Sequence, residues 1–178
     1  DDIDTAFIAP QCGKRVLRDR AFARLRYDET GVLRPESLFD RPPFNRAGVL
    51  IAGRNFGAGP DCDLAINALK AINLTCLVAV SFSPLFADRA FNAGLILITV
   101  EPETALTLAE GAMSGDAVTI DLDAQTVTTY FGEQFSFRLP PAARARFIAA
   151  RRSASVAAAF LGVDADGEGG HLLYATGQ

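Results

Sequence analysis

The chain has 178 residues, of which 49% are hydrophobic and 21% charged, so it is long and apolar enough to form one compact domain with its own core. Its formal net charge of −4 provides no basic face for phosphate backbones, so we expect no nucleic-acid partner. Apolar runs fall short of the roughly 20 residues of a membrane span, and the chain starts acidic where a signal peptide starts basic. We therefore expect a cytoplasmic protein that does not bind membranes.

The first 45 residues mix short apolar pieces with a charged stretch, Lys14–Arg20, and a proline-bounded segment, Arg41–Arg46. We predict a leading strand followed by long loops. Three widely spaced cysteines, an odd number, favour a reduced protein over a disulfide framework. There is no C-x-x-C pair and no His/Cys cluster, so we expect this chain to bind no metal or cofactor on its own.

From Ala47 to Val100 the pattern becomes regular. Unbroken apolar runs alternate with helical patterns, which is typical of a buried parallel or mixed sheet with flanking helices. The predicted strands are 47–52, 76–80 and 95–100, and the predicted helices are 62–72 and 83–92.

In the last third of the chain the spacing of the apolar residues changes. Pro102 and an acidic first turn start a predicted helix that ends near Met113. Apolar residues then recur at every second position, which indicates antiparallel strands. These strands are 118–122, 126–130 and 135–139. Pro140 and Pro141 open an Ala/Arg-rich helix that runs to about residue 161, and we expect the glycine-rich tail 162–178 to be mobile.

The loop Gly53–Gly59 ends an apolar run and is followed at once by a helical pattern. Glycines such as Gly57 and Gly59 allow close approach to the backbone, and the first amides of a helix carry partial positive charge. The loop is therefore a candidate site for an anionic substrate group. The alternative is a purely structural turn, since the loop lacks both the dinucleotide fingerprint and the Gly-Lys-Ser/Thr of a phosphate-binding loop.

Three separated segments resemble one protein family. Ile3–Pro10 is similar to the motif V-D-T-D-x-I-I-P, and Gly53–Gly59 is similar to G-x-N-F-G-C-G. Val80–Phe86, with Asn92–Leu95, is similar to A-x-S-F-A-x-I-F and N-x-x-x-N-G-L. These segments resemble, in order, the small subunit of 3-isopropylmalate dehydratase, which is similar to the swivelling C-terminal domain of aconitase.

The resemblance implies a fold and a function. The fold is α/β: a single β/β/α swivelling domain over residues 1–161, with a mixed sheet, flanking helices and a C-terminal helix. The function is that of a small subunit of a hydro-lyase that dehydrates and rehydrates a hydroxy-dicarboxylate. In this family a large subunit carries a [4Fe-4S] cluster, and the small subunit closes the site and supplies the base.

The chain departs from the family where the family reads S-S-R-E-H. Pro60–Leu64 occupies these places, with Asp61 at the base position and Cys62 at the arginine position that grips a substrate carboxylate. The resemblance makes Asp61 the catalytic base, and the alternative is a helix cap. Cys62 would contact substrate, with a thiol pKa lowered by the helix start, or be a small filler. The resemblance also places Lys14 and Arg15 against the substrate's variable group, although a solvated charge run is the alternative.

Two hypotheses follow. In the first, the chain is the small subunit of an aconitase-type hydro-lyase, either the leucine-pathway isomerase itself or, as we favour, a divergent paralogue that handles an altered hydroxy-acid substrate. In the second, it is a non-catalytic relative that acts as a regulatory or assembly subunit. Ala6, which stands where the family has the second aspartate of D-T-D, adds to the divergence of the site.

Overall fold

The computed structural model describes residues 1–11, 16–42, 44–113, 118–129, 131–141, 143–145 and 147. The described helices are α1 (Thr5–Ile8), α2 (Leu17–Arg20), α3 (Ala23–Arg26), α4 (Cys62–Ala71), α5 (Pro84–Asn92) and α6 (Pro102–Met113). The described strands are β1 (Val49–Ala52), β2 (Cys76–Ala79), β3 (Ile96–Thr99), β4 (Thr119–Asp121), β5 (Thr126–Thr128) and β6 (Gln134–Ser136). Two 3₁₀ turns occupy Leu38–Asp40 and Phe44–Arg46.

Several predictions fall outside these residues. Lys14, Arg15 and the tail 162–178 are not among them, and neither is the end of the helix predicted after Pro141. Among the described helices, none has the length and apolar character needed to cross a membrane.

The centre of the fold is a parallel sheet in the order β1–β2–β3, paired from Val49 to Cys76 and from Cys76 to Ile96. Every residue of β1 and β2 is buried, because the side chains of alternate residues enter two different cores. Leu50 packs with α4 and α5 on one face, and Ile51 packs with α6 on the other. This two-sided burial explains the unbroken apolar runs and confirms the predicted α/β class.

The second sheet is antiparallel, in the order β4–β5–β6. Val127 of β5 is fully buried, whereas its neighbours Thr126 and Thr128 are only partly covered. This alternation is the period of two on which the antiparallel prediction rested. The buried face shares a core with α6 and one face of the parallel sheet.

The predicted leading strand is wrong. Residues Thr5–Ile8 form the short helix α1, with Asp4 at its N-cap. The Asp4 carboxylate accepts the Phe7 backbone N–H at 2.5 Å, and this local bond holds a helical turn where the apolar pattern suggested an extended chain. The predicted long loops also contain short helices, α2 and α3.

Candidate active site

The three family-like segments meet in space at the glycine loop. The Gly57 N–H donates to the Ile3 carbonyl at 2.7 Å, and the Thr5 N–H donates to the Ala58 carbonyl at 2.7 Å. On the other side, Phe56 forms a parallel bridge with Phe82. Backbone bonds therefore fix the loop between the N-terminal segment and the segment that leads into α5.

Gly57 and Gly59 are required by the loop itself. Their φ angles are +82° and +118°, in a region that other residues rarely adopt. A Cβ on Gly57 would overlap the Phe86 ring, and a Cβ on Gly59 would come within 2.5 Å of the Thr5 Oγ1. Because the Gly57 amide already donates to Ile3, it is not free to bind an anion, and the structural alternative holds for this amide.

Gly57→Ala should destabilise the protein more than Gly94→Ala. Gly94 has nearly the same φ, +86°, but a Cβ there meets nothing within 4 Å. We expect a loss of about 1 kcal/mol for Gly94→Ala from backbone strain, and a further loss of roughly 1–2 kcal/mol for Gly57→Ala from overlap with Phe86. Urea unfolding of both variants measures the difference. Equal losses would contradict the close packing of the loop on α5.

Asp61 stands at the N-cap of α4, but its side chain makes no capping hydrogen bond. Its ψ of 39° lies outside the extended region from which a cap side chain normally reaches the first amides. The carboxylate Oδ2 instead accepts a hydrogen bond from Gln11 Nε2 at 3.1 Å. The sequence placed Asp61 correctly at the helix start, but the capping bond of the alternative interpretation is not formed.

Two residues of this site were missed by sequence reasoning. Gln11 bonds the Asp61 carboxylate, and the Thr5 hydroxyl accepts the Asp61 N–H at 3.3 Å. Both partners are about fifty residues away from Asp61 in the chain. The available signal was that Thr5 lies in the first family-like segment and that Gln11 follows it directly.

Cys62 is the first residue of α4, and its side chain has no exposed surface. Its thiol donates a hydrogen bond to the Gly59 carbonyl at 3.3 Å. Burial raises the pKa of the Cys62 thiol, and the nearby Arg89 charge only partly opposes this. The predicted lowering of the thiol pKa is therefore wrong, because loss of hydration outweighs the helix start. The contact of Cys62 with substrate stays a prediction, and the burial of the side chain favours the alternative of a small filler.

Cys62→Arg should destabilise the chain rather than restore a carboxylate clamp. The new guanidinium would enter a packed core, near the cation of Arg89 and the carboxylates of Asp61 and Asp63. We expect a loss of about 2 kcal/mol or more, since the longer side chain overfills the packed site and its charge must leave water. Cys62→Ala, the matched control, should cost about 1 kcal/mol. Thermal unfolding compares the two, and an arginine variant as stable as the alanine variant would contradict the burial.

Comparisons with known proteins identify the family of this chain. The small subunit of 3-isopropylmalate dehydratase from Phenylobacterium zucineum is 34% identical over 146 residues, which are 79% of this chain and 72% of the relative. The corresponding protein of Novosphingobium aromaticivorans is 40% identical over 121 residues, 68% of this chain and 56% of the relative. The chain belongs to the 3-isopropylmalate dehydratase small subunit family. The family model LeuD_N also matches residues 108–141.

A solved structure shows the same family fold. The crystal structure of 3-isopropylmalate dehydratase (leuD) from Methanocaldococcus jannaschii superposes with a TM-score of 0.61 at 26% identity, covering 84% of this chain and 83% of that one. This confirms the expected fold of the dehydratase small subunit.

The described part of this dehydratase-family chain does not fit a metal cluster. Within it, no three His, Cys, Asp or Glu side chains come together as possible ligands. Cys62 and Cys76 are both buried and free, and they lie in separate cores on opposite faces of the parallel sheet. These two thiols therefore cannot ligate one cluster together.

Proposed function

We propose that this chain is the small subunit of an aconitase-type hydro-lyase that dehydrates and rehydrates a small hydroxy-dicarboxylate. The supporting observation is that the three family-like segments meet at the glycine loop that leads directly to Asp61. The Asp61 carboxylate is not used to cap its helix and bonds Gln11 instead. Together with family membership, this geometry supports a site that has kept its frame and a titratable group at the position of the base.

The chemistry of this chain is proton transfer. The Asp61 carboxylate accepts the proton from a substrate carbon, the C–H electron pair forms the new double bond, and the C–O bond on the neighbouring carbon breaks with its electron pair on oxygen. The departing oxygen takes a proton from solvent and leaves as water, and Asp61 releases the proton it accepted to solvent. Rehydration reverses these steps. The amides of the first turn of α4 would face a substrate carboxylate, and Lys14 and Arg15 would contact the substrate's variable group.

The partner we propose is a large subunit that carries a [4Fe-4S] cluster, which supplies a Lewis acid for the departing hydroxyl. The described residues of this chain do not fit such a cluster, so in this proposal the large subunit supplies its ligands. The free, buried thiols Cys62 and Cys76 support a reducing, cytoplasmic location. The acidic composition supports a role without nucleic-acid or membrane partners.

The substrate differs from that of the family's usual enzyme in our proposal. At the place of the carboxylate-binding arginine, the buried Cys62 offers no cation. A bidentate arginine–carboxylate pair is among the stronger polar contacts in proteins, so its loss favours a substrate that lacks one carboxylate or presents it differently.

The test is reconstitution. The chain is purified together with a cluster-bearing large subunit of this dehydratase family. Anaerobic dehydration of 3-isopropylmalate and of hydroxy acids with fewer carboxylates is measured by the absorbance of the carbon–carbon double bond that forms. We expect turnover only when both subunits are present, and no iron in the small subunit alone. A stable complex that turns over no hydroxy acid would support the non-catalytic alternative and overturn the proposal.

A further inference from the structure

We propose that Gln11 is a positioning residue that holds the Asp61 carboxylate in the orientation needed to accept the carbon-bound proton. The inference rests on the proposed function, in which Asp61 is the base. Gln11 does not touch the substrate in this proposal and acts through Asp61.

The Asp61 carboxylate would otherwise be free to rotate. The N-cap position usually fixes an aspartate by a bond to the helix amides, but Asp61 makes no such bond. Its main chain is held by the Thr5 hydroxyl, at 3.3 Å from its N–H. The bond from Gln11 Nε2 to Oδ2, at 3.1 Å, is therefore what sets the direction of the carboxylate.

The backbone that carries Gln11 is firmly anchored. Thr5 is 1% exposed, and its N–H donates to Ala58 in the glycine loop. The Ala9 N–H closes α1 on the Thr5 carbonyl at 2.9 Å, and Pro10, which is buried, limits the backbone just before Gln11. Gln11, which is itself exposed, thus follows directly on the anchored segment that holds Asp61 through Thr5.

The chemistry suits an amide. A carboxamide N–H donates one hydrogen bond and carries no charge, so Oδ2 is held without an ion pair and Oδ1 keeps its lone pairs for the incoming proton. A lysine or arginine at this place would pair with the carboxylate and stabilise its charged form, which opposes proton uptake. Gln11 therefore orients the base and leaves its charge unpaired.

The kinetic test compares Gln11→Met, which keeps the length of the side chain but loses the donor, with Gln134→Met, the same change at an exposed glutamine in β6. In the complex with the large subunit, we expect kcat to fall roughly tenfold for Gln11→Met, as for a misplaced catalytic group. KM and the melting temperature should not change, and Gln134→Met should behave as the unmodified protein. In an Asp61→Asn background, Gln11→Met should cause no further loss, because there is no base left to orient.

A second measurement needs no partner. In the full isolated chain, the side-chain NH₂ resonances of Gln11 should shift on Asp61→Ala but not on Asp63→Ala.

If Asp61→Asn abolishes turnover while Gln11→Met keeps full kcat, the positioning role is overturned and the proposed base stands. If Asp61→Asn itself retains full turnover, both the base assignment and the positioning role fall.

Discussion

Asp40→Ala is expected to lower the free energy of unfolding by about 3–5 kcal/mol, because it leaves a buried guanidinium without its counter-charge. Arg26 is 3% exposed, and its Nε and Nη2 donate to the two Asp40 oxygens at 2.9 and 2.6 Å. Ser37 donates to the same carboxylate at 2.8 Å, and the remaining Arg26 nitrogen donates to the Arg18 and Ala21 carbonyls. This network joins α3 to the first 3₁₀ turn.

The matched control is Glu36→Ala. Glu36 lies 3.8 Å from Arg34, and both side chains are exposed, so breaking this pair should cost no more than about 1 kcal/mol. Urea unfolding followed by circular dichroism measures both variants. The double variant Arg26→Met with Asp40→Leu should recover part of the loss, since removing both charges leaves no unpaired ion. Similar losses for Asp40→Ala and Glu36→Ala would contradict the buried network.

The Arg26–Asp40 pair makes the stability of the protein depend on pH. Burial alone would raise the pKa of Asp40, but hydrogen bonds from Arg26 and Ser37 and the Arg26 charge bring this pKa below its ordinary value. The folded state therefore binds this proton less readily than the unfolded state. The contribution of the ionised Asp40 to the free energy of unfolding is complete above the ordinary carboxyl pKa, at about pH 4. It is lost as the pH falls through the lower pKa that Asp40 has in the folded state. The stability difference between the unmodified protein and Asp40→Asn should shrink below that pH, and a constant difference would contradict the lowered pKa.

Asp61→Asn is expected to reduce turnover of the two-subunit enzyme at least about a hundredfold, as for the loss of a general base. Its melting temperature should stay nearly unchanged, because the Asp61 side chain caps no backbone amide and asparagine can still accept a bond from Gln11. The matched control is Asp63→Asn, two residues later on the same helix, where the carboxylate is exposed and pairs with Arg89. This control should leave kcat within about twofold of the unmodified enzyme, since surface pairs contribute little.

Two results would contradict the assignment of Asp61 as the base. If Asp61→Asn lowers the melting temperature and leaves the partnered activity intact, Asp61 is a structural residue of the helix start. If Asp63→Asn causes the larger loss of kcat, the carboxylate that takes part in the reaction is Asp63, in the first turn of α4, and not Asp61 at the N-cap.

Much of the fold follows from local pattern. The apolar runs 47–52, 76–80 and 95–100 contain the three parallel strands β1, β2 and β3. The segment after Val118, where apolar residues recur at every second position, forms the antiparallel sheet. Such patterns are readable because each strand's own residues decide which of its faces is apolar. The turn of Thr5–Ile8 was misread because four residues are too few to show a helical period, and the cap bond from Asp4 decided the outcome.

The groups at the start of α4 can be read directly from the chain: a carboxylate at position 61, a thiol at position 62 and the glycines that precede them. The environment of those groups depends on contacts with distant segments. Packing between α4 and the sheet buries the Cys62 thiol, and the loss of hydration raises its pKa despite the local effect of the helix start. The Asp61 carboxylate accepts a bond from Gln11, fifty residues away, and the buried charge of Arg26 is balanced by Asp40. Desolvation and long-range hydrogen bonds arise between distant segments, so no local pattern encodes them.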